Sequence, residues 1–83
     1  MTIYEEWPRG VPIDLGDDGF VVVHNTFEAS IILSNCWPER AGSAYSRAME
    51  VLYDAFDDVV DDDTARLAFI AAAEEARLVV QLH

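Results

Sequence analysis

The chain has 83 residues and a net charge of −11, from 16 acids against five arginines and no lysine. With so few cations to neutralise phosphates, ordinary nucleic-acid binding is excluded, and anionic membranes are disfavoured for the same reason. The length allows one domain, residues 1–83, and the single cysteine, Cys36, excludes an internal disulfide and cannot build a zinc site alone.

Residues 1–10 end in Trp7-Pro8-Arg9-Gly10 and read as an irregular lead-in, too acidic and too short of apolar side chains for a signal peptide. Val11, Ile13 and Leu15 then alternate with Pro12 and Asp14, the period of a half-buried strand. Pro12 lacks an N–H, which places this strand at a sheet edge. Gly16-Asp17-Asp18-Gly19 is turn chemistry, and residues 20–24 form a second strand, completing a hairpin. The longest apolar run, Phe20-Val21-Val22-Val23, is far too short to span a bilayer, and a cytoplasmic protein is expected.

Asn25 followed by Glu28 fits a capping box and opens a helix running to Cys36. Phe27, Ile31 and Ser34 share one face of it, and Ala29, Ile32, Leu33 and Cys36 widen the apolar surface. Trp37-Pro38 ends that helix, since a residue before proline is pushed out of helical geometry. After a loop over 39–42, Ser43 is expected to cap a second helix. Its buried stripe is Ala44, Ala48, Val51, Leu52, Ala55 and Phe56, flanked by Tyr45 and Met49.

An acidic connector carrying Val59 and Val60 leads to a third helix, with Ala65, Ala68, Phe69, Ala72, Ala73 and Ala76 at helical spacing. Most of these side chains are methyl-sized, so the face can approach its neighbour closely. Asp61, Asp62 and Asp63 complement the positive end of the helix dipole, and Arg77 the negative end. Leu78, Val80 and Leu82 alternate with Val79, Gln81 and His83 and predict a closing strand over 78–82.

The reading is therefore an α+β fold of order β-β-α-α-α-β, a three-stranded antiparallel or mixed sheet with three helices on one face. The second strand is central in this arrangement, and the first and third are its edges. An apolar patch or an unprotected edge then remains on the sheet, with Phe20, Val22, Val79 and Gln81 as candidate contacts of a homodimer. A domain this small buries only about 60–65% of its unfolded surface, and self-association would offset that.

Asp54, Asp57, Asp58, Asp61, Asp62 and Asp63 lie within ten residues. Their spacing lacks the alternating acids, central glycine and closing glutamate of a calcium loop. Dipole complementarity and the helix pairs Asp62–Arg66 and Asp63–Arg66 explain them structurally, and they are also a candidate surface for a basic protein partner. Cys36 reads as inert, because carboxylates raise a thiol's pKa, and nothing brings His24 or His83 to it. Trp7 and Trp37, each before a proline, are expected to pack over helix ends. No catalytic, metal or cofactor residues emerge, and a non-enzymatic interaction or regulatory module is the leading reading. Its rivals are an acidic decoy imitating nucleic acid and, further behind, a metal- or small-molecule-binding protein.

Trp37-Pro38, Gly42, the alanine-studded helix around Ala48, Ala65-Arg66, Ala68-Phe69-Ile70, Ala72-Ala73 and Glu75-Ala76 resemble, in order and spacing, the bacterial family catalogued as domain of unknown function 982. The resemblance runs from about Trp7 to Val80. It implies a short stand-alone α+β protein of the kind seen chiefly in rhizobia and related soil bacteria, with no assigned activity, cofactor or catalytic residue. Arg77 stands where a helix-ending glycine would be expected, which implies a less sharply defined terminus.

Overall fold

The computed structural model describes residues 4–38 and 42–78. Strands β1 (Val11–Asp14) and β2 (Phe20–Val23) form an antiparallel pair, followed by helices α1 (Thr26–Asn35), α2 (Ser43–Phe56) and α3 (Asp62–Glu75). Asp14 Oδ1 accepts the Gly16 N–H at 2.9 Å, and Gly16 and Gly19 both take positive φ, so the intervening 3-10 turn falls on the residues that tolerate it. Val11, Ile13, Leu15 and Val23 turn into the core, whereas Phe20 and Val22 face solvent.

The expected three-stranded sheet is corrected to two strands among the described residues. The physical reason lies at the end of α3. Arg77 adopts φ 60°, and Leu78 donates its N–H to the Ala73 carbonyl at 2.8 Å, a bond that closes a helix end. Leu78 is thereby tied to the helix and is not part of a strand, and the rest of the predicted strand lies outside the described residues. The expected order is also corrected: the Leu78 carbonyl accepts the Asp14 N–H at 2.9 Å, so it sits beside β1, not β2. Arg77 makes this terminus sharp by itself entering the left-handed region that glycine would occupy at less cost. Arg77→Gly should therefore stabilise the fold by about 1 kcal/mol, read as a rise in the urea midpoint.

The start of α1 follows the capping pattern with one change. Asn25 accepts the Glu28 N–H at 2.7 Å, but Glu28 Oε1 reaches the His24 N–H at 2.7 Å and not that of Asn25. The buried face of α1 is Thr26, Ala29 and Leu33, so Ile31, placed on the core side by the sequence, points to solvent. Phe69 of α3 is fully buried, with its ring 6.0 Å from that of Trp7 and 5.6 Å from that of Trp37. The same core holds Ala29 and Leu33 of α1, Ala48, Val51, Leu52 and Ala55 of α2, and Ala65, Ala72 and Ala73 of α3. Both tryptophans are buried, but their shared ring partner is Phe69 in the middle of α3 and not a helix end.

The cap of α2 is the main departure at a helix end. Ser43 is the first helical residue, and the N-cap is Gly42, which has no side chain to offer. The missing acceptor comes from the far end of α3: the Glu75 carboxylate accepts the Ala44 and Tyr45 N–H groups, each at 3.1 Å, and the Ser43 hydroxyl at 3.3 Å. A Cβ on Gly42 would collide with that carboxylate, so a larger residue there would push Glu75 out of its capping position.

These bonds, that of the Ala44 N–H foremost, hold the Glu75 carboxyl below the ordinary glutamate range. Asp61, bonded by Thr64 at the start of α3, is lowered likewise, with the Thr64 side chain the larger cause and its N–H the second. A carboxyl lower in the folded than in the unfolded chain adds stability above its unfolded value and loses it as pH falls through the folded one. Urea midpoints should accordingly fall as pH drops below about 4.5. Glu75→Gln should flatten that acid slope while lowering the midpoint at neutral pH.

Candidate functional site

Two surfaces collect the residues singled out in the sequence. The first lies along β2 and α1. Phe20 is 57% exposed, Val22 40% and Ile31 42%, high values for large apolar side chains. Beside them Val21, Val22, Glu28, Ile31 and Ile32 line an open groove of about 270 Å³. Phe20 and Val22, two of the candidate dimer contacts, thus lie on an exposed face, whereas Val79 and Gln81 lie outside the described residues. Sequence reasoning missed Ile31 and Ile32 as members of this surface. The available signal was that Phe27 to Leu33 carries more apolar side chains than one helix face can bury.

The second surface is the corner between α2 and α3. The six aspartates there do different work. Asp61 caps α3 through the Thr64 N–H at 2.8 Å, and Asp62 accepts the Thr26 hydroxyl at 2.9 Å. Asp54 is half-buried, and Asp57, Asp58 and Asp63 are exposed, with Asp58 at φ 59° in the turn leaving α2. The expected pairs of Asp62 and Asp63 with Arg66 do not form among the described residues; Arg66 Nε instead donates to the Arg9 carbonyl at 3.0 Å. No group of three or more acids, histidines or cysteines among the described residues is arranged to hold a metal ion. Two of the six, Asp61 and Asp62, are thus committed to structural bonds.

The remaining polar groups do not converge on one point. Cys36 is half-buried at the end of α1, His24 is exposed after β2, and His83 lies outside the described residues. Trp7 Nε1 donates to Thr26 Oγ1 at 3.2 Å, and the Thr26 hydroxyl donates in turn to Asp62 Oδ1 at 2.9 Å, one chain joining the lead-in, α1 and α3. The Trp37 indole N–H is buried without a partner among the described residues. A second shallow groove of about 250 Å³, lined by Arg47, Val51, Thr64, Leu67, Ala68 and Ala71, runs between α2 and α3 and presents two hydrogen-bonding side chains, Arg47 and Thr64, among apolar ones. Among the described residues no helix is long and apolar enough to cross a membrane.

Comparison with known proteins places the chain. The family described as "Protein of unknown function (DUF982)" matches residues 9–80. The NMR structure of the Agrobacterium tumefaciens protein Atu1219 is similar, with a TM-score of 0.77 and 26% sequence identity over 94% of this chain and 78% of that one. No curated protein matches.

Proposed function

The chain belongs to the family of proteins of unknown function DUF982, and from that premise we propose that it is a non-enzymatic, homodimeric interaction module whose acidic corner meets a basic protein in the cytoplasm. The observation that carries this reading is the exposed apolar surface of Phe20, Val22 and Ile31. A contiguous apolar patch rimmed by polar residues is a candidate interaction site. A second copy would shield them and would add burial to a chain short of it. The exposed Asp57, Asp58 and Asp63 support the basic partner, since opposite charge steers encounter even where it adds little affinity. Local clustering, with Asp61 and Asp62 turned to structural use, weighs against a decoy presenting a long array of phosphate-like charges.

Size-exclusion chromatography with light scattering at micromolar concentration tests the assembly, and a mass of twice the chain is expected. Affinity capture from native extract at low and high salt tests the partner. A basic protein should be retained at low salt and released as salt rises, because surface charge pairs are screened within about 8 Å at physiological ionic strength.

A further inference from the structure

The hairpin's two edges are guarded unequally. In β1, Asp14 turns its N–H away from β2 to the Leu78 carbonyl, while Leu15 sends its N–H across to Gly19 at 2.8 Å. Antiparallel alternation then makes Val11–Val23 and Ile13–Val21 the directly bonded pairs. Pro12 consequently has its missing N–H on the outer edge, where Leu78 also docks. The opposite edge is covered at one end only among the described residues, where Glu28 Oε1 takes the His24 N–H and the Trp7 N–H donates to the His24 carbonyl at 2.6 Å. Phe20 and Val22 aim N–H and C=O outward, and Phe20-Val21-Val22-Val23 carries no charge, proline or bulge. The groove lined by Val21, Val22, Ile31 and Ile32 runs beside that bare edge.

We propose that a second copy of this chain docks on this edge, β2 against β2, antiparallel across a two-fold axis at Val21. The proposal rests on the homodimer reading above and specifies its interface. With Val21 opposite the partner's Val21, Phe20 lies opposite the partner's Val22, and the outward groups of these residues exchange four backbone hydrogen bonds. The two-fold is perpendicular to the joined sheet, so both α1 helices fall on the same side of it and Ile31 of each copy is brought toward the seam. Charge selects this occupant over a basic peptide. The sole charged side chain lining the groove is Glu28, and its Oε1 already holds the His24 N–H. Two chains of net charge −11 repel everywhere except along an uncharged strand. Self-pairing should thus tighten as salt rises, whereas a basic ligand would loosen.

Amide hydrogen exchange by NMR on the full chain, at increasing concentration and two salt levels alongside light scattering, tests this directly. The Phe20 and Val22 amides should gain protection as the dimer forms, while Val21 and Val23 are protected at every concentration. A dimer in which Phe20 and Val22 exchange freely overturns the interface and leaves the homodimer reading standing; a monomer under all conditions overturns both. Val22→Pro removes an outward N–H only, at a position opposite Pro12 in the register. It should weaken dimerisation at least about tenfold with an unchanged circular dichroism spectrum, and an unchanged dissociation constant would refute the proposal. Should that variant misfold, a Phe20→Lys chain mixed with a Val22→Glu chain should favour the mixed dimer, and random assortment would overturn the register.

Discussion

Phe69→Ala should destabilise the protein by about 3–5 kcal/mol, leaving it close to its unfolding transition. Phe69 is the largest fully buried side chain. Its ring meets both tryptophans, and the surrounding helix faces are built mainly of alanines that cannot swell to fill the space. Small domains sit at the low end of the roughly 5–15 kcal/mol available to folded proteins, so one cavity consumes most of the margin. Urea unfolding followed by tryptophan emission would read the loss and the exposure of Trp7 and Trp37 together. A cost below about 1.5 kcal/mol would show that the two indoles collapse into the vacated site, contrary to the rigid packing described.

Thr26→Val should cost about 2–3 kcal/mol although it keeps the side chain's shape. Thr26 is the one fully buried polar residue among the described residues, and its hydroxyl both accepts from Trp7 and donates to Asp62. Valine leaves the indole N–H buried without an acceptor and takes a donor from a carboxylate, and a buried polar group left unpaired loses more than a hydrogen bond is worth on average. Thr26→Ser, which retains the hydroxyl, should recover much of the difference. Equal midpoints for the valine and serine variants would mean that water reaches the Trp7 indole.

The hairpin was legible because local chemistry specifies it: Val11, Ile13 and Leu15 alternate, and glycines stand at Gly16 and Gly19 where φ is positive. The alanine face of α3 was legible for a similar reason, since helical period and small side chains leave one way to pack. What escaped were features decided at a distance. Glu75 reaches the start of α2 from 30 and 31 residues away, and no spacing rule connects them. Ser43 looked like the cap because serine is the local favourite, yet the tertiary carboxylate won. Ile31 was assigned inward because helical period alone does not say which of two apolar strips meets the core; Ala29 and Leu33 took that place. Among the described residues no third strand forms: the Leu78 N–H is captured by the Ala73 carbonyl at the helix end, a competition that alternation cannot reveal. Of the candidate surface, Phe20 and Val22 were named as candidate contacts from the strand pattern, and the flanking isoleucines were not.

Helix α2 borrows its first anchor from the closing turn of α3, and this changes what the chain between α1 and α2 is obliged to do. A stretch ahead of a helix ordinarily has to supply a serine, threonine, aspartate or asparagine at its last position. Here that position is a bare Gly42, wanted for its lack of bulk. Inserting two or three polar residues immediately before Gly42 should leave the melting temperature within a few degrees of the parent, since lengthening a loop costs little. The same insertion inside α3, between Phe69 and Glu75, would swing the carboxylate out of register and unfasten a helix elsewhere in the fold.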